Sequence, residues 1–243
     1  MSASVAVISF MDWSPFHSLH TPESRLHQIS SSCGILCLSK SHSSFTMQYT
    51  AKPYALPELT GLSQKQIDVH LALYQGYVKH TNLILEKIAK LREEDATENA
   101  YVINELRRRL GFEFDGMRMH EYYFDQLEGG SSTPSTEGAF ATMATKKYGS
   151  WDGFIGHLGE VAGTRGIGWV VVYYDRVMDT LHTAFVNDHE LGQLSGLPIM
   201  LAIDLWEHAF MVDYVPAEKK TYVDAFLANV NWSVVEERAT KAV

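Results

Sequence analysis

Two stretches of this chain place apolar residues three and four positions apart, and a histidine interrupts each apolar stripe. From Ile67 the stripe runs Ile67, His70, Tyr74, Tyr77, Thr81, Ile84, Ile88 and Leu91. That is one face of a helix of about seven turns, opened by Ser63 as a plausible N-cap. After the acidic run REEDATEN, read as a turn, Leu110, Phe114, Met117, His120, Phe124 and Leu127 share a second face. The spacing predicts two antiparallel helices, each turning one histidine inward, and EGGSSTPSTEG closes that half with Gly, Pro and Ser.

The period then changes. EGAFATMATKKYG and WDGFIGHLGEVAG are two short helical patterns, whereas GWVVVYYD, MDTLHTAFVND and LPIMLAID are β-branched runs bounded by turn residues. These read as three strands, the first two a hairpin around Asp175 and Arg176; WEHAF and EKKTYVDAFLANVNWSVVEER read as helices. The expected fold class is α+β: an N-terminal antiparallel helical hairpin (47–130), followed by an α/β domain with a three-stranded antiparallel sheet (131–243). Residues 1–46 are crowded with Ser and His and hold no sustained period, so they are expected to form a disordered extension or leader. Arg is scarce there and no basic region precedes an apolar core, which favours an extension over a targeting peptide.

Charge and cysteine usage narrow the function. With 29 acidic against 20 basic residues the formal charge is -9, which argues against nucleic acid or an anionic membrane as partner. No apolar run approaches the roughly 18 to 20 residues that cross a bilayer, so a soluble protein is expected; the expected location is the cytoplasm, with organelle targeting by 1–46 left open. Cys33 and Cys37 both fall in the N-terminal stretch. A metal in the main body must therefore be held by His, Asp or Glu.

The segment Asp204-Leu-Trp-Glu-His208-Ala-Phe sets an acid at the end of an apolar strand and a histidine four positions later. Carboxylate and imidazole both suit iron and manganese. Two more ligands are wanted, and His70 and His120 are the natural candidates. A lone histidine on an apolar face is ordinarily a satisfied core residue. Packing two of them against an Asp/His pair without a metal would bury several titratable groups without an obvious partner, which is costly.

This D-x-W-E-H-A sequence, with the strand before it and Val230-Asn231-Trp232 after it, resembles the iron/manganese superoxide dismutase family. The likeness spans nearly all of 53–243, including the Leu-Pro-Glu-Leu lead-in, YGSWDGF and GIGWVVV. It implies one iron or manganese ion per subunit, with His70 as axial ligand opposite a bound solvent and His120, Asp204 and His208 in the equatorial plane. It further implies Trp206 as a wall of the pocket, Tyr77 at its entrance, and Glu207 reaching His208 of a neighbouring subunit in a homodimer or higher homo-oligomer. The implied reaction converts superoxide to dioxygen and hydrogen peroxide.

The chain also departs from the family pattern. Tyr77 stands seven residues after His70 where the family has eight; Tyr74 and Phe210 occupy places that usually hold a His and a Tyr paired across the dimer; and FEFDGMRMH keeps only Gly116 and His120 at familiar places. The family's solvent-binding Gln is missing. Gly116 leaves its first location without an amide, and the second falls in VNDHELG, which resembles the subgroup that uses His and points to His189. Phe112, Phe114, Tyr122, Tyr123 and Phe124 are read as core and interface aromatics, and Arg107 to Arg109 as a solvated helix face. Two rivals stay open: a dismutase-like fold that binds metal with little or no activity, and another mononuclear metalloenzyme, a hydrolase or oxygenase.

Overall fold

A computed structural model describes residues 48–243, so the expected extension at 1–46 and its border at Met47 lie outside the described residues. Helix α1 (Gln64–Asp95) begins where the sequence places it, with the Ser63 hydroxyl accepting from the Gln66 amide at 3.1 Å. Its buried face holds Ile67, His70, Tyr74, Thr81 and Ile84, as the stripe predicts. Val78 joins them, while Tyr77, Ile88 and Leu91 are only half-buried. The helix runs further than expected. The first half of REEDATEN is its last turn, because Arg and Glu are good helix formers. The chain turns once the Asp95 carboxylate accepts from the Thr97 and Glu98 amides at 2.9 and 3.0 Å.

Helix α2 (Ala100–Asp125) folds back on α1 and buries Met117, His120 and Phe124. Helices α3 (Ala139–Tyr148) and α4 (Trp151–Ala162) meet at Gly149, whose φ of 82° needs a residue without a Cβ. Ser150 then caps α4 by accepting from the Gly153 amide at 3.0 Å.

Strands β1 (Gly168–Asp175), β2 (Thr180–Asn187) and β3 (Ile199–Asp204) form one antiparallel sheet in the order β2-β1-β3. The central β1 is buried along almost its whole length and pairs Trp169 with Val186 on one side and with Asp204 on the other. The β1–β2 turn spans 176–179, slightly later than expected.

Two expectations for the C-terminal part are corrected. WEHAF is not an α-helix but a single 3-10 turn, Glu207–Ala209. The next α-helical bond would join the His208 carbonyl to the Val212 amide, and the buried Gln66 side chain takes both groups instead. The long final pattern is two helices, α5 (Lys219–Asn229) and α6 (Trp232–Ala242). Val230 is extended between them, and the Asn231 side chain caps α6. No described helix is long and apolar enough to cross a membrane.

Candidate metal centre

The four candidate ligands come from four separate elements and converge. His70 lies on α1, His120 on α2, Asp204 ends β3 and His208 sits in the 3-10 turn; one donor atom from each lies within 4.8 Å of all the others. The Nε2 atoms of His70, His208 and His120 approach a single carboxylate oxygen, Asp204 Oδ2, at 3.0, 3.1 and 3.6 Å. The other oxygen, Oδ1, accepts from the Trp206 amide at 2.8 Å and so fixes the carboxylate plane. His70, His120 and Asp204 are fully buried.

Burial pushes the His70 and His120 imidazoles below their ordinary range, so both are neutral with a lone pair to give. Burial alone would raise Asp204, but the His208 and His70 rings beside it hold the carboxyl well below the usual range, and it is ionised. The His120 tautomer follows from its neighbours. Nδ1–H donates to the Gly116 carbonyl at 2.6 Å, which leaves the Nε2 lone pair aimed into the cluster. That Nε2 is buried with no partner. A buried acceptor without a donor is expensive, and a metal ion is what three imidazole nitrogens and a carboxylate can jointly satisfy. The donor set fits iron or manganese.

The ring of residues beyond the ligands is equally specific. Tyr77 packs over Gly116, where a Cβ would meet the phenol ring at 2.6 Å, so the place without an amide is filled by Tyr77 itself. His189 is fully buried, delivered by a tight loop in which Asp188 takes a φ of 52° and Asn187 exchanges both backbone bonds with Leu191. Its Nδ1 accepts from the Trp169 indole N–H at 3.0 Å, and its Nε2 lies 2.8 Å from the Tyr77 hydroxyl. Because the indole can only donate, the neutral His189 ring carries its proton on Nε2 and gives it to Tyr77 Oη. Burial lowers His189 to about 4, so the ring is neutral near pH 7. Trp206 stacks on His189 with centroids 4.8 Å apart and on His208 at 5.7 Å. Glu207 is exposed, and its carboxylate bonds to no described residue.

Sequence reasoning missed Trp169 and gave Phe112 no task. Phe112 packs edge-on to His189 at 4.7 Å and carries the Arg109 guanidinium 3.8 Å above its ring, so Arg109 is not a plain solvated charge. A tryptophan opening a buried strand was the available signal for Trp169, since a buried indole N–H needs an acceptor.

Residues 136–238 match the C-terminal domain of iron/manganese superoxide dismutases. An iron superoxide dismutase of Sulfolobus acidocaldarius is 31% identical over 198 residues, covering 80% of this chain and 93% of that protein. One from Cupriavidus metallidurans is 34% identical over 203 residues, 81% of this chain and 99% of that protein. A manganese superoxide dismutase of Haloferax volcanii is 32% identical over 176 residues, 72% of this chain and 84% of that protein.

Proposed function

This chain belongs to the iron/manganese superoxide dismutase family, and from that premise we propose how its own residues carry the conversion of superoxide to dioxygen and hydrogen peroxide. His70, His120, Asp204 and His208 hold one iron or manganese ion. The observation that carries this assignment is the buried, partnerless Nε2 of His120 aimed at the same carboxylate oxygen as His70 and His208. Bound metal supplies the one-electron acceptor and donor that the two halves of the reaction require.

Tyr77, His189 and Trp169 form a hydrogen-bonded line beside the cluster. Since His189 already donates to Tyr77 Oη, the phenol's own hydrogen is free to hold a small oxygen species in the site or to be given up as a proton. His189, expected from sequence to donate to a metal-bound solvent, acts in this reading through Tyr77. Trp206 forms the wall beside His208, stacked on its ring. We further propose that the protein works as a homodimer in which Glu207 reaches His208 of the other subunit. The support is that Glu207 is exposed and that His208 keeps 14% of its side chain uncovered. Residues 1–46 are proposed to lie outside the catalytic unit, so a chain starting at Met47 should bind metal like the full one.

Alanine substitution of each ligand in turn, with elemental analysis and a superoxide-consumption assay, tests the assignment. Each variant should lose its metal and its activity. A His120→Ala protein that kept both would overturn it. Bound metal without superoxide consumption in the unmodified protein would favour the rival of a metal-binding protein without turnover. Sedimentation of Glu207→Ala tests the dimer: unchanged assembly and metal content would rule out the bridge.

A further inference from the structure

The Asp204 carboxylate holds the His70 and His208 rings at 3.0 and 3.1 Å, but it cannot by itself place the four elements that carry the donors. Neutral imidazoles do not attract one another, and a cluster of converging lone pairs must be held by the surrounding fold before metal enters. We propose that Gln66 and Gln126 are positioning residues that tie the two histidine-bearing helices to the chain segments bearing Asp204 and His208. This rests on the ligand assignment above.

Each glutamine is fully buried and belongs to a ligand helix or its cap, Gln66 one turn before His70 on α1 and Gln126 as the C-cap of α2, six residues after His120. Each uses both ends of its amide on backbone. Gln66 Nε2 donates to the His208 carbonyl at 2.6 Å, and its Oε1 accepts from the Val212 amide at 2.9 Å. Those two backbone groups would otherwise bond each other in an α-helix, so the inserted amide decides the path of the chain on leaving His208.

Gln126 does the same for β3. Its Nε2 donates to the Ala202 carbonyl and its Oε1 accepts from the Ala202 amide at 3.3 Å, pairing with the outer edge of the strand two residues before Asp204. β3 is an edge strand, yet Ala202 is fully buried, so these backbone groups need a partner other than water. Arg238 of α6 braces the contact. Its Nη1 donates to Gln126 Oε1 at 3.2 Å and to the Met200 carbonyl at 3.1 Å, and its Nη2 to the Tyr122 carbonyl at 3.0 Å, two residues past His120.

A carboxamide offers a donor and an acceptor side by side, and so pairs with an N–H and a C=O at once. The result is one clamp per helix. Gln66 couples His70 to His208, and Gln126 couples His120 to Asp204.

The test uses the full chain freed of metal and titrated with Co(II), whose visible absorption reports both affinity and ligand geometry. Gln66→Met and Gln126→Met keep the side-chain length and remove all the amide's hydrogen bonds. At a temperature where circular dichroism shows the variants folded, each should bind Co(II) about 10- to 100-fold more weakly and with an altered spectrum. A lowered melting temperature with unchanged affinity and spectrum would make both residues ordinary core polar groups and overturn the proposal. If Gln126→Met does not fold, Arg238→Lys replaces it, and Gln66→Asn replaces a Gln66→Met that does not fold. Either change should shift affinity and spectrum in the same direction by less, and no shift overturns the proposal. Unmodified protein that takes up no Co(II), or Asp204→Ala protein that keeps it, would instead sink the ligand assignment, and the clamps with it.

Discussion

The two sides of the ligand cluster are built by different means. On one side His70 rests against Tyr123 and Phe124, with centroids 4.8 and 4.9 Å away, and both rings are fully buried. Behind them Tyr123 stacks on Phe226 at 5.0 Å, and the Tyr222 hydroxyl donates to the Asp204 carbonyl at 2.7 Å. On the other side Tyr77, Phe112 and Trp206 are each half-buried around His189, and the Arg109 side chain above Phe112 is 51% exposed. The first side is held by close packing and sealed. The second is held by a line of directional hydrogen bonds and leaves its rings incompletely covered. In a chain of formal charge -9 any attraction for a small anion must be local, and on the second side the Arg109 guanidinium is itself paired with Glu113 at 2.8 Å.

The largest effect expected from this contrast is on stability. Phe124→Ala should cost about 3 to 5 kcal/mol and lower the melting temperature by roughly 10 °C. Phe112→Ala, at a half-buried position, should cost about 1 kcal/mol. Equal losses in calorimetry would erase the distinction between the sides.

Acid comes next. His189 has a folded value of about 4 against an ordinary 6.5, so below pH 6.5 the unfolded chain takes up a proton that the folded one refuses. This stability is fully present above pH 6.5 and is lost as pH falls toward 4, about 3 kcal/mol across the window from this residue alone. The buried His70 and His120 are lowered too and act in the same direction. Melting temperatures recorded from pH 7 to pH 4 should fall steeply, and His189→Gln should flatten the fall by about one proton. An unaltered slope would place the acid sensitivity on the sealed side only.

Tyr222→Phe should cost about 1 to 2 kcal/mol by leaving the buried Asp204 carbonyl without its donor. It should do so without the change in turnover that a Tyr77→Phe substitution brings. If both variants slowed turnover alike at full metal content, the sealed side would not be merely structural.

The smallest effect is His189→Gln near neutral pH. An amide oxygen can accept from Trp169 and an amide N–H can donate to Tyr77, so the line survives and stability should barely move. What should shift is the ratio of iron- to manganese-supported activity, because the donor to Tyr77 changes strength. An unchanged ratio and unchanged turnover would remove His189 from the reaction.

Much of this was legible in the residues themselves. The three-and-four spacing around His70 and His120 determines which way those histidines face, because helical periodicity is local. The D-x-W-E-H pattern likewise determines two of the candidate ligands, because strand end and turn lie within a few residues. The β-branched runs determine three strands for the same reason. The outer ring was not legible in this way. Nothing in VNDHELG says that His189 is buried, since that depends on the indole of Trp169 twenty residues earlier and on Tyr77 from another half of the chain. The 3-10 turn at Glu207–Ala209 has helical sequence and stops because Gln66, 142 positions from His208, takes its next hydrogen bond. Local sequence determined the elements and the direction of each candidate ligand. The tertiary structure decided which buried donors and acceptors meet, because an unpaired buried polar group is costly and most partners here lie far away along the chain.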